Sequence, residues 1–266
     1  MNDSPSIIDA HIHIGDNPID SDADTSIKSL VDLMDRNGIS RCCGSHIAGI
    51  NSHHFEYANG ETSKVLREYP KRIFGYAIYN PVFRKDSLDN VKRHLGERGF
   101  IGIKIYPTTH RHPINGESYD PLWKYANDNQ IPVLVHTWDA TPQDSLPHDP
   151  SSVYAQPKLV RDVKEKYPKL IIIMAHGGAH YNGHLQAIEI VKNYSNTYVD
   201  TSGDTISFGL IEWFVRETGA DRVLYGSDMN WLDPRAHIGR VLGANIGMQE
   251  KEMILYKNAQ SLFDFE

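Results

Sequence analysis

The chain has 266 residues, with 27 Lys and Arg against 34 Asp and Glu, two cysteines and fourteen histidines. A formal net charge of −7, with no block of like charge, leaves no basic footprint for a nucleic-acid backbone and no cationic face for anionic lipid. Cys42 and Cys43 are neighbours, which excludes a disulfide framework. The longest aliphatic run, Leu170 to Ala175, is too short to span a bilayer. The opening MNDSPS shows no signal-peptide pattern, so a cytoplasmic protein is expected.

In chain order, short β-prone runs begin near Ile7 (IIDAHI), Arg41 (RCCGS), Ile73 (IFGYAIY), Ile101 (IGIKIY), Pro132 (PVLVH), Leu170 (LIIIMA), Thr197 (TYVD) and Val223 (VLYGS). The starts lie 26 to 38 residues apart, close to one strand–helix unit. Several runs are continuously apolar, as in parallel strands covered on both faces. Between them, segment 26–37 places Ile27, Leu30, Val31 and Met34 at helical spacing, and Gly38 closes it. Asp120 and Pro121 read as N-cap and first position of a helix through Asn129. Further helices are predicted over 156–167, 183–194 and 205–218, and from Pro234 and Gln249 onwards.

Eight such units across residues 1–266 predict an α/β fold, a single (β/α)8 TIM barrel. The alternative, a doubly wound open sheet, would usually carry a Gly-rich phosphate fingerprint after its first strand, where this chain has HIHIGD. The longest irregular segment, 137–157, follows strand five, on the face where barrels carry their sites.

Polar residues gather at strand C-terminal ends. His11 and His13, two apart on strand one, point to one side and can reach one ion. His136, His176 and Asp228 each end an apolar run. Several such groups arriving at one rim point to a metal site. Lys104 lies inside an apolar strand, where an unpartnered ammonium is costly. It reads as an anion or carbonyl binder, a carboxylated metal bridge, or a lysine whose head escapes to solvent.

HIH on strand one, GIKIYP on strand four, VH on strand five, AHGG on strand six and YGSD on strand eight resemble the amidohydrolase superfamily. The likeness is to its amidohydrolase-2 branch, which also contains aminocarboxymuconate-semialdehyde decarboxylase-like enzymes, and it extends to RIFGYAIYNP, NTYVDTSG and NAQSLF. It implies that His11, His13, His136 and Asp228 hold a divalent metal, with His176 beside the bound water or among the ligands. Binuclear members carboxylate the strand-four lysine; this branch is commonly mononuclear, so one ion is expected rather than two. Zinc is favoured, with manganese as the alternative. Many relatives follow the strand-eight Asp with an aromatic residue and proline, whereas this chain has Met229, Asn230 and Trp231.

The resemblance implies a hydrolase of a small ester, lactone or amide. Metal-activated water attacks, Asp228 acts as general base and then acid, His176 steadies the oxyanion, and Lys104 polarises the carbonyl or pairs with a substrate carboxylate. The strand-four GIK favours this reading within the family. The alternatives are a metal-dependent non-oxidative decarboxylase on the same cage and a non-catalytic barrel. Trp138 and Trp231 are candidate pocket walls, and Arg111, beside His110 and His112, a contact for an acidic substrate. His46, His180 and His184 are rim residues without an assigned role. His53, His54, His94, His148 and His237 read as surface or loop positions. The partner expected is a small molecule, with a homodimer as the base-rate assembly.

Overall fold

The computed structural model describes residues 6–16, 24–50, 53–139, 150–203 and 207–266. The apolar runs become β1 Ile7–Ile14, β2 Ile39–His46, β3 Ile73–Ile78, β4 Phe100–Ile105, β5 Val133–His136, β6 Ile172–Ala175, β7 Thr197–Asp200 and β8 Val223–Leu224. All pair in parallel, in chain order, in one eight-stranded sheet. Ala10 N donates to Tyr225 O at 2.9 Å, Asp228 N donates to His11 O at 2.9 Å, and a parallel bridge joins Ile12 to Met229. These contacts bring the last strand back against the first, so the barrel holds and the open sheet does not.

Helices α1 Ile27–Arg36, α2 Phe55–Glu68, α3 Arg84–Leu95, α4 Pro107–His110, α5 Asp120–Asn129, α6 Val160–Lys166, α7 Tyr181–Asn193, α8 Leu210–Thr218 and α9 Pro234–Gly243 alternate with the strands. The chain ends in short helical turns from Met248 to Leu262. No described helix is long and apolar enough to cross a membrane. Sequence periodicity passes over α2 and α3 for a physical reason. α2 faces the barrel partly with Asn59, Thr62 and Ser63, and Asn59 works as a polar pin. Its Nδ2 donates to Ile78 O (3.1 Å) and Asn90 Oδ1 (2.8 Å), while its Oδ1 accepts from Ile78 N (2.7 Å).

Some boundaries move. Asp120 is not the N-cap of α5; Tyr119 holds that position. The Asp120 carboxylate instead accepts from Lys166 Nζ (2.8 Å) and Tyr167 Oη (3.1 Å), tying α5 to α6. The predicted helix 156–167 opens as a 3-10 turn over Pro157–Leu159, before α6. In segment 137–157, residues 140–149, with His148, lie outside the described residues. Residues 204–206 of the predicted helix 205–218 do as well.

The core has two layers. Ile8, Ala10, Cys43, Tyr76, Leu134 and Ile173 fill the barrel interior, and Phe263 from the C-terminal segment packs with them. Ile12, Cys42, Ile103, Val133 and Met174 face the helices. The two free cysteines therefore sit buried in different layers.

β1 contains one irregularity on which the site depends. Asp9 is opposite Cys42 and Ile12 opposite Gly44, so β1 spends three residues where β2 spends two. A β-bulge of this kind inverts the side-chain alternation beyond it. Ile8 and Ala10 point into the barrel before the bulge, and Ile12 points out after it. Strict alternation would have turned His11 and His13 towards the helices; the extra residue turns both inward.

Candidate metal centre

At the C-terminal rim, His13 Nε2 lies 3.0 Å from Asp228 Oδ1 and His11 Nε2 lies 3.6 Å from the same oxygen. One ligand atom from each of the three residues falls within 4.8 Å of the others. Their protonation states suit ligation. Burial pulls His13 down to about 4 against the opposing pull of Asp228. Burial pushes the Asp228 carboxyl up, but the His13 hydrogen bond and the neighbouring histidines outweigh it and hold the group well below the usual carboxylate range. A divalent ion needs neutral imidazoles and an ionised carboxylate. The residues present fit a divalent metal.

His176 and His136 stand beside this set, with His176 Nε2 3.1 Å from His136 Nδ1. Burial lowers His176 to about 3 and holds His136 well below its ordinary value. His176 (φ 61°) and Asp228 (φ 62°) both take left-handed backbone, a conformation that L-residues adopt at a cost and that concentrates at functional sites. Lys104 is fully buried. Its Nζ is 2.8 Å from His11 Nε2 and 5.1 Å from the Tyr106 ring centroid. Burial brings it down from 10.5 to about 8, against the pull of Asp200 and Asp228.

Aromatic rings wall the site. Trp138 stacks on His136 (5.9 Å between centroids, 3° between planes) and meets His176 edge-on at 5.5 Å. Trp231 meets His13 edge-on at 6.1 Å. Tyr106 lies 6.4 Å from His13 and 6.2 Å from His136, its hydroxyl 2.8 Å from Ser45 Oγ. The fold thus brings together His11, His13, Lys104, His136, Trp138, His176, Asp228 and Trp231. It does not bring Arg111 to them. Arg111 is exposed in left-handed backbone (φ 55°) at the end of α4, and none of the contacts that join the cluster runs through it among the described residues.

Sequence reasoning missed Asp200 and Ser202, from the end of β7. Both are buried. Asp200 Oδ2 accepts from His11 Nδ1 (2.9 Å), and Oδ1 accepts from His176 N (2.9 Å), Ser202 N (3.0 Å) and Ser202 Oγ (2.5 Å). His11, His176 and Asp200 also come close enough to suggest an ion, but Asp200 has spent its oxygens on these donors. Burial raises its carboxyl, and the His11 and His176 interactions with the Ser202 bond more than reverse this, holding it well below the ordinary value. Asp9 was missed too. Its Oδ1 accepts from His11 N (3.2 Å) and Ser227 N (3.1 Å), binding the bulge to the segment that carries Asp228.

Two of the rim histidines without a role bond to nearby backbone, while the His180 ring meets Trp138 edge-on at 5.2 Å. His184 is buried with Nδ1 2.8 Å from Gly177 O, and His46 accepts from Ala48 N (3.2 Å). His94 and His237, expected at the surface, are buried against backbone carbonyls of Asn90 (2.9 Å) and Thr201 (3.0 Å).

A family model described as amidohydrolase matches residues 8–265. Gamma-resorcylate decarboxylase of Polaromonas sp. is 23% identical over 244 residues, covering 77% of this chain and 74% of that protein. Among solved structures, 2,6-dihydroxybenzoate decarboxylase from Rhizobium superposes with a TM-score of 0.77 at 17% identity, covering 97% of this chain and 98% of that one. A 5-carboxyvanillate decarboxylase from Novosphingobium aromaticivorans, with bound manganese and 3-methoxy-4-hydroxy-5-nitrobenzoic acid, has a TM-score of 0.76 at 17% identity, covering 96% of each chain. All three are decarboxylases. The hydrolase expectation is corrected by them: a metal cage and a strand-four GIK do not single out ester, lactone or amide hydrolysis. An enzyme of this fold stands; hydrolysis as its main reaction does not.

Proposed function

The chain belongs to the amidohydrolase family, in its amidohydrolase-2 branch, and on that footing we propose a divalent-metal-dependent, non-oxidative decarboxylase of small hydroxy-substituted aromatic or unsaturated acids. The observation that carries it is the convergence of His11, His13 and an ionised Asp228 at the barrel rim. The decarboxylase activities named for its relatives support the choice of reaction. Held by His11, His13 and Asp228, with His136 and His176 beside it, a zinc or manganese ion would supply Lewis-acid polarisation of substrate oxygens.

The reaction breaks the bond from the carboxylate carbon to the ring, releases CO2 and leaves a proton on the ring carbon. An ionised Asp228 begins as a base and takes the proton of the substrate hydroxyl. Electrons of that O–H bond pass into the ring, which accepts the same proton from Asp228 at the carbon bearing the carboxylate. The carbon–carbon pair then stays with the ring as CO2 departs, and one solvent proton restores the hydroxyl. During this sequence charge leaves the carboxylate and gathers on the hydroxyl oxygen. An ammonium placed at that oxygen favours the transition state over the ground state, and this is the role assigned to Lys104. Trp138, Tyr106 and Trp231 keep water from the ring while it carries charge.

The test is CO2 release by metal-loaded protein from a panel containing 2,6-dihydroxybenzoate and 5-carboxyvanillate. Loss of acid matched by CO2 supports the reading. Metal-replete protein that turns over carbonyl substrates with no CO2 from any acid overturns it.

A further inference from the structure

Two residues behind the metal-facing nitrogens touch no substrate position, yet they fix how those nitrogens can act. Ser202 Oγ lies 2.5 Å from Asp200 Oδ1, 3.0 Å from His11 Nδ1 and 2.9 Å from His176 Nδ1. We propose that Asp200 and Ser202 are positioning residues that set the tautomers of two histidines at once, Asp200 gripping His11 directly and reaching His176 through the Ser202 hydroxyl. The inference rests on the metal-centre reading above.

Proton accounting leads to it. An ionised carboxylate can only accept. Asp200 Oδ1, already facing two backbone N–H groups, therefore takes the single hydroxyl proton of Ser202. The serine oxygen is left with lone pairs, so both neighbouring Nδ1 atoms must bring hydrogens to it. His11 Nδ1–H is shared between Ser202 Oγ and Asp200 Oδ2, and His176 Nδ1–H goes to Ser202 Oγ.

The opposite side of His11 gives an independent check. A lysine ammonium can only donate, and Lys104 Nζ is 2.8 Å from His11 Nε2, so that nitrogen must be bare. For His176 the consequence passes one residue further. With its Nε2 bare, the His136 Nδ1 at 3.1 Å must donate to it, which leaves His136 Nε2 bare as well. Three imidazoles are thus given one outcome by a carboxylate and a hydroxyl on β7. Gly203 admits the arrangement: it sits at φ +83°, and a Cβ there would lie 2.7 Å from His176 Nδ1. Carboxylate and carbonyl partners behind ligating histidines are the usual device for fixing tautomer and ring orientation; here one carboxylate serves two rings, the second through a serine.

The experiment uses the full chain, 15N-labelled and freed of metal by chelation, with two-bond nitrogen–proton spectra of the histidine rings. His11→Asn and His176→Asn assign the signals. The parent is expected to show protonated Nδ1 and bare Nε2 on both rings. Ser202→Ala is expected to release His176 to mixed tautomers and to leave His11 held by Asp200. Ser202→Thr, which keeps the hydroxyl, restores the parent pattern. His94, whose Nδ1 faces Asn90 O at 2.9 Å, serves as a ring outside the site that stays unchanged. A parent protein with Nε2–H on His11 or His176 overturns the inference, whether or not Ser202→Ala folds. So does a folded Ser202→Ala with unchanged tautomers. The spectra are read without metal or substrate, so a protein that decarboxylates nothing defeats the proposed function while the tautomers still decide this inference.

Discussion

Lys104→Met exchanges a buried ammonium for a neutral side chain of similar length, and it is expected to stabilise the protein while disabling it. Burial brings Lys104 from 10.5 down to about 8. At about 1.4 kcal/mol for each tenfold change, carrying the charge into the fold costs about 3 kcal/mol. That value already includes the attraction of Asp200 and Asp228, because both oppose the shift. A chain of 266 residues unfolds with an entropy of about 0.6 kcal/mol/K, so removing the charge should raise Tm by about 5 °C.

The sign fixes the pH window. A lysine with a folded pKa below its unfolded value penalises folding wherever both states hold the proton, which is the region below about 8. Between about 8 and 10.5 the folded protein sheds its proton first and the penalty fades. The advantage of Lys104→Met is therefore complete near neutral pH and shrinks as pH rises towards 10.5. Thermal unfolding of chelator-treated parent and variant across this range reads it. On metal-loaded protein, kcat/KM for decarboxylation should fall about 100-fold. A variant less stable than the parent at neutral pH, or an advantage that grows with pH, refutes the stability reasoning; undiminished turnover refutes the catalytic role.

Asp228→Ala removes the carboxylate oxygen that faces the Nε2 atoms of both His11 and His13, and elemental analysis should find metal retention lost along with CO2 release. Chelation of the parent should abolish CO2 release, and added zinc or manganese should restore it. Asp9→Ala strips the acceptor from the buried N–H groups of His11 and Ser227, costing about 1–3 kcal/mol for each orphaned donor, measurable by denaturant unfolding. Burial raises Asp9 to about 7, so its protonated form is favoured in the fold: that contribution is full below about 4 and is lost as pH rises through about 7. The stability difference between parent and Asp9→Asn should slope across that window and flatten above it. Trp138→Ala opens the face stacked on His136 and should raise KM for an aromatic acid about tenfold or more with metal content unchanged by elemental analysis.

The strand ends were legible because one rule sufficed: an apolar run that stops at a ligand-type residue delivers that residue to the rim. The rule reached His136, His176 and Asp228. Applied evenly, it also points to Asp200, since β7 reads TYVD and stops the same way; that signal was present and passed over. Ser202 was less accessible, because a hydroxyl has no identity until its neighbours are known. The β1 bulge was not readable. IIDAHIHI alternates acceptably in either register, and only the pairing with β2 shows the extra residue that turns His11 and His13 inward. Arg111 shows what charge alone leaves out: it suggested a substrate contact, and the left-handed turn after α4 leaves the side chain exposed and apart from the cluster. The choice of reaction was out of reach of residue type, because one metal cage serves water attack and carbon–carbon cleavage alike.

The charge balance of the site bears on the proposed choice of an acidic substrate. His13, His136 and His176 are kept uncharged by burial, and in the tautomer proposed above the His11 nitrogen facing Lys104 is bare. The fixed charges at the centre are then the Asp200 and Asp228 carboxylates and the Lys104 ammonium. Alone they leave one negative charge in a buried, aromatic-walled space, and a divalent ion converts that to one positive charge. Buried net charge of this kind is compensated most effectively by a single anion brought in from solvent. In the proposed reaction a carboxylate would meet that need on entry and surrender its charge to the substrate hydroxyl oxygen, beside Lys104. The arrangement that makes Lys104 costly in the metal-free protein is therefore the same one that would suit an acid once the proposed ion is bound.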